Sequence, residues 1–208
     1  MDGGVLPFHF INTVYAWKGE NLYEYLKTYD ELLEWCHKVK IFPSPQLDQL
    51  REYALKHPKN KELAFEQIKN ARNILYRFFS GIAGPGIEQS ILQQYNILLS
   101  KALVHFEWKP SKNALLFSIK KNETDLLLPL WKIIQSSHQL LLDKEDYKIK
   151  ECSQCGWIFL DETRNNSRRW CNTATCGSVE KMQRYYQKKL NLRIYRKGAE
   201  VRYKSRIT

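Results

Sequence analysis

The sequence lacks any apolar run long enough to cross a bilayer. Its strongest, LLLPLWKII at 126–134, is short and carries Pro129 and Lys132. The opening MDGGVLPFHF lacks the basic, apolar and small-residue order of a secretory leader. These absences lead to the expectation of a cytoplasmic protein with no membrane partner. Nucleotide-loop signatures are missing too. Gly81, Gly84, Pro85 and Gly86 cluster, but neither as GxGxxG after a strand nor as GxxxxGK before Ser or Thr, so a turn between helices is expected. The five histidines, at 9, 37, 57, 105 and 138, form no HExxH or other compact ligand set. Glu52, Glu62, Glu66 and Glu88 fall on helical segments without an evident acid, base and ligand cluster, so no enzyme is expected. No repeat of solenoid length is present.

Acidic residues are scarce at one end only. Residues 1–147 hold 18 Lys or Arg against 17 Asp or Glu, and residues 148–208 hold 15 against 5, so +10 of the net +11 lies in the last part. A basic partner surface therefore belongs there.

The remaining sequence reads as mainly α. Apolar residues 7–17 precede a helix expected over 21–39, where Leu22, Leu26, Tyr29, Leu33 and Cys36 recur at helical spacing. Further helices are expected from Ser44 to about His57, over 61–80, from Ile87 to about Ser100, and over 123–142 with Pro129 in the first turn. Alternation from Leu103 to Trp108, a polar turn at 110–113 and the run Leu115 to Ile119 predict a small β-hairpin. Two domains follow: a predominantly helical unit at 1–147 and a metal module with a basic helix at 148–208.

Four of the five cysteines form CxxC at 152 and 155 and CxxxxC at 171 and 176, with fifteen residues between the pairs. Cys152, Cys155, Cys171 and Cys176 offer four thiolates, a set that suits one structural zinc ion with every coordination position filled by protein. Four sulfurs alone do not separate zinc from iron, and a redox CxxC or a disulfide pair is the weaker alternative. Cys36, among Leu32, Leu33 and Val39, reads as a buried free thiol. A helix is expected from Ser178 to Leu190. Val179, Met182, Tyr186 and Leu190 would pack on the metal knuckles, and Lys181, Arg184 and Lys188 would face an anionic partner. Arg168 and Arg169 in the inter-pair loop complete the candidate nucleic-acid surface. Further basic residues from Arg193 to Arg206 extend it.

FINTV at 10–14, LLEWC at 32–36 and CSQCGWIFLDETRNNSRRWCNTATCG at 152–177 resemble a bacterial CGNR zinc-finger protein with an N-terminal ABATE domain. The family motif's Cys and Gly match Cys176 and Gly177. Its Asn and Arg are replaced by Ser178 and Val179, so no contact ascribed to that Arg carries over. The resemblance implies a transcription regulator, in which a helical domain senses stress or a small-molecule ligand and a treble-clef-like or ribbon-like four-cysteine zinc module binds double-stranded DNA. A protein-interaction or structural adaptor and an RNA-binding module are the alternative functions. Homo-oligomerisation is left open.

Overall fold

The computed structural model describes residues 4–19, 23–112, 114–120, 124–143 and 148–204, with side chains excepted for 192–204. The chain folds as α1 (Leu6–Ile11), α2 (Tyr29–Lys38), α3 (Ser44–Lys56), α4 (Pro58–Ala83), α5 (Gln89–Leu103), β1 (Phe106–Ser111), β2 (Ala114–Ile119), α6 (Leu128–Asp143), β3 (Ile149–Glu151), β4 (Ile158–Leu160) and α7 (Ser178–Lys204). The mainly helical class with a small hairpin and a cysteine module is as expected.

The short α1 is the centre of the helical unit. Phe8, Phe10 and Ile11 are buried, and Phe8 meets Phe79 of α4 edge to face at 5.0 Å. The 26-residue α4 turns Ala64, Ile68, Ala71, Leu75 and Phe78 inward, as their spacing demands, and ends at the glycine cluster, where Gly86 N donates to Gly81 O. Tyr95 of α5 stacks on Phe78 at 3.9 Å and shares a hydrogen bond with Ser137 of α6. Cys36 is fully buried and desolvation pushes its thiol well above the ordinary range, so it is an inert core residue.

Three boundaries differ from expectation. The helix expected over 21–39 begins only at Tyr29. There Thr28 and Glu31 form a reciprocal capping box, and Glu24, upstream, sits in an antiparallel bridge with Val14. Leu22 lies outside the described residues. The last helix of this unit starts at Leu128, because Asp125 accepts from Leu127 N at 2.9 Å and ends the preceding loop. In the hairpin, α5 runs on to Leu103 and the strand begins at Phe106. Pro110 pairs with Leu115 inside the sheet, not in the turn.

Arg72 is the one buried guanidinium among the described residues. Its Nη1 donates to Thr13 Oγ1 at 2.7 Å and to Glu24 Oε1 at 2.8 Å, and its Nη2 pairs with Glu24 Oε2. These contacts clamp Thr13 and Glu24 onto α4.

Strands β3 and β4 pair antiparallel, and Ile149, Ile158 and Leu160 belong to the same apolar cluster as α1, α4 and α6. The metal module's first strands therefore share the core of the helical unit; residues 144–147, just before β3, lie outside the described residues.

Glu24→Ala leaves the Arg72 charge to Thr13 alone and should cost on the order of 2–4 kcal/mol in urea unfolding. Adding Arg72→Met should recover part of that loss. A double variant no more stable than Glu24→Ala alone would show that the charge is not what the pair neutralises.

Candidate metal centre

The first knuckle is built on a turn that only glycine accommodates. Gly156 has φ +79°, and a Cβ there would lie 2.9 Å from Trp17 Cβ. The close approach has a cause: Trp17 N and Lys18 N both donate to Cys155 O, at 2.7 and 3.2 Å. Trp157 Nε1 donates to Val14 O at 2.8 Å. Asn12 donates from Nδ2 to Ile158 O at 2.8 Å and accepts from Ile158 N at 3.1 Å, so its side-chain amide acts as a strand partner for β4. Trp17 itself stacks flat on Tyr76 of α4 at 4.0 Å. The N-terminal strap thus holds the first cysteine pair from outside the module.

The second knuckle is held differently. Asn172 Oδ1 accepts from Ala174 N and Thr175 N, capping a wide π-type turn at Thr173–Gly177 that carries Cys176 back towards Cys171. Asp161, buried after β4, accepts from Thr163 N, Thr163 Oγ1 and Arg168 N, organising the loop between the pairs. Burial opposes its ionisation, but these hydrogen bonds outweigh it and hold the carboxyl below its usual range. Arg168 Nε donates to Trp170 O, its Nη2 donates to Cys171 O, and its guanidinium lies over Phe159 at 4.7 Å.

These two scaffolds bring Cys152, Cys155, Cys171 and Cys176 together, with all four sulfurs within 4.8 Å of one another. Cys171 Sγ is 3.6 Å from Cys155 Sγ and 3.7 Å from Cys176 Sγ, too far for a disulfide. A tetrahedron with metal–sulfur bonds near 2.3 Å has edges of about 3.8 Å, so the spacing fits a thiolate-bound metal ion. Without a cation the crowded sulfurs do not ionise together. Hydrogen bonds from Cys155 and Cys171 hold the Cys152 thiol far below the ordinary range. The same crowding pushes Cys155 up to about 12 and Cys171 higher still. Four thiolates this close need a cation. With four protein ligands the centre is positioned to hold an ion structurally.

Glu180, in the first turn of α7, ties the two knuckles together. It accepts from Trp170 Nε1 at 2.6 Å and Ser153 Oγ at 3.2 Å, and pairs with Arg169 at 3.3 Å and with Arg184. The Trp170 hydrogen bond is the main reason its carboxyl stays below the ordinary range. Of the five basic candidates, Arg168 is thus committed to the second knuckle, and Arg169 and Arg184 share Glu180. Lys181 and Lys188 are exposed with no ion pair among the described residues. The side chains of Arg193 to Lys204 and residue Arg206 lie outside the described residues.

The expected packing of α7 on the knuckles is not observed. Val179 is 37% exposed, Met182 53%, Tyr186 61% and Leu190 51%, and every side chain from 181 to 191 faces solvent. The spacing that makes an apolar stripe does not supply a surface to receive it, since Glu180 and Trp170 already occupy the contact between helix and knuckle.

Asn12, Trp17, Asp161 and Glu180 were not legible as site residues. FINTV marked the segment of Asn12 and the helix-forming start of α7 that of Glu180, but their partners lie elsewhere in the chain.

Chelation of the metal should release amide protection after about residue 161, while β3 and β4 stay protected by the shared core. Hydrogen exchange with and without chelator checks this. Equal loss in β3 and β4 would mean that the ion, and not the strap, holds them. Gly156→Ala should destabilise the protein by ~1–3 kcal/mol, read by thermal unfolding of the metal-loaded form.

A comparison with curated proteins finds no match. The family model for ABATE, described as "Putative stress-induced transcription regulator", matches residues 4–141, and the model for the CGNR zinc finger matches residues 148–189. Its long match, followed in order by the four-cysteine module, shows that the chain belongs to the ABATE family and carries a CGNR zinc finger after the helical unit.

Proposed function

We propose that this protein is a zinc-dependent, DNA-binding transcription regulator that acts by binding and performs no covalent chemistry. The observation that carries the reading is α7. It is rooted on the metal knuckles through Glu180, clear of the body from Lys181 to Asn191, and basic along the face that bears Lys181, Arg184 and Lys188. A helix accessible all round is what a major groove can take, and cations along one side position it on phosphates. Arg169, stacked over Trp170, flanks the helix at its root. Arg168 is half-buried and contacts Trp170 O, Cys171 O and the Phe159 ring, so its loss should damage the finger before it affects DNA.

Zinc is the ion that four thiolates in a closed tetrahedron suit best. Metal analysis of the purified protein should find one zinc per chain, with X-ray absorption showing sulfur near 2.3 Å as the sole ligand type. Iron, or a nitrogen ligand, would overturn the assignment.

The reading is tested by duplex affinity across a salt series, comparing the native protein with Lys181, Arg184 and Lys188 replaced together by Gln. Every phosphate that the variant no longer neutralises should reduce the slope of log affinity against log salt by about 0.9. Unchanged slopes, with zinc and helicity intact, would remove α7 as the DNA surface. The exposed stripe Val179, Met182, Tyr186 and Leu190 favours a protein adaptor as the second reading. In that case association would persist at high salt, and Met182→Ser with Leu190→Ser would abolish it.

A further inference from the structure

A groove of about 570 Å³ opens between α4, α5 and α6, on the helical unit and apart from the metal centre. Its volume lies in the range of small-molecule sites. Its walls divide by chemistry. Ile74, Leu98, Leu127 and Leu130 form an apolar floor, and the His105 ring, stacked on the buried Trp131, adds an aromatic wall. At the rim stand Lys101 and the amides of Gln67 and Asn70, all exposed. No carboxylate lines the groove, and Lys101 has no ion pair among the described residues.

The aromatic wall is held in place from behind. Asp125 Oδ1 accepts from Leu127 N at 2.9 Å, and its Oδ2 accepts from Trp131 Nε1 at 2.8 Å. The same Oδ2 faces His105 Nδ1 at 3.4 Å. The two rings lie nearly parallel, 11° apart with centroids 5.0 Å apart. Both edges of this wall are therefore anchored to one side-chain carboxylate, which is itself 15% exposed. His105 Nε2 has no hydrogen-bond partner among the described residues. A wall fixed by such supporting contacts binds without first ordering itself. His105 itself follows α5 in a loop, and its neighbour Val104 is 66% exposed.

We propose that this groove binds a small organic carboxylate with a flat apolar or aromatic body. The body lies on the leucines and against the His105 ring, which Trp131 backs. The carboxylate reaches the rim, where Lys101 neutralises it and Asn70 and Gln67 donate hydrogen bonds. Charge selects the anion, because the rim offers a cation and amide donors with no acid to repel it. A cationic or multiply charged polar ligand would leave the apolar floor unsatisfied or Lys101 opposed. The proposal stands apart from the DNA reading, since none of its residues belongs to the finger.

The probe is 2-naphthoate, with 2-naphthamide as its neutral counterpart of the same shape. Each is titrated by calorimetry into the full-length, metal-loaded protein in the absence of DNA. Naphthoate should bind more tightly than the amide, and Lys101→Gln should weaken naphthoate about three- to tenfold while leaving the amide unchanged. His105→Ala should weaken both ligands to a similar degree through loss of the stacking wall. Lys101 is exposed on α5, so its variant decides the matter even where His105→Ala perturbs the fold. Equal binding of acid and amide, a preference unaltered by Lys101→Gln, or no binding of either at millimolar concentration would overturn the proposal. Any of these results leaves duplex affinity untouched, so the two readings fail separately.

Discussion

A buried guanidinium has to be neutralised where it lies, and that need organises the junction of this molecule. Arg72 projects from the middle of α4, and its charge is met by Glu24 and Thr13. Meeting it draws Thr13 and Glu24 against α4. The residues after Thr13 then have free backbone groups in position to serve the finger: Val14 O receives the Trp157 indole, and the amides of Trp17 and Lys18 cap Cys155 O. A single long helix thus carries the core on one side, the strap and first knuckle on another, and one wall of the α4–α6 groove on a third.

The metal module is consequently half supported and half self-made. Its apolar cluster consists of Cys152, Phe159 and Cys171, with Cys155, Trp157, Trp170 and Cys176 around them, so the ligands are most of its core. Such a unit buries too little carbon to fold unaided. The first half is relieved of that deficit by Ile149, Ile158 and Leu160, which enter the helical unit's core. The second half has the cysteine cluster, Asp161, Asn172 and the Glu180 hub. Glu180 also explains why the basic field begins where it does: within the first turn of α7 one carboxylate holds Arg169 and Arg184 together, and beyond it the helix has no acid until Glu200.

Much of the fold was legible because helical periodicity reports burial directly. Ala64, Ile68, Ala71, Leu75 and Phe78 mark the inner face of α4 by spacing alone, and the observed burial agrees. The same rule misled at Leu26, which is buried but precedes its helix. A periodic apolar position shows that a residue is inside, not that its backbone is helical, and the capping box at Thr28 was the better local signal. It misled again at Val179, Met182, Tyr186 and Leu190, where a stripe exists without a surface to cover it.

What the sequence determined by itself was the four-cysteine ligand set, the helical class and the concentration of positive charge after residue 148. Each rests on spacing along the chain: thiol pairs close a coordination shell through short loops, and charge adds without regard to conformation. Only the tertiary structure decided which cations were free. Arg168 and Lys181 look alike in sequence, yet one is consumed by Cys171 O and Phe159 and the other is left to solvent. It likewise decided that Asn12 would serve as a strand partner for Ile158, 146 residues away, and that His105 would be set against Trp131 by Asp125. A polar side chain's role is fixed by the partner that satisfies it, and those partners are brought near only when the chain is folded.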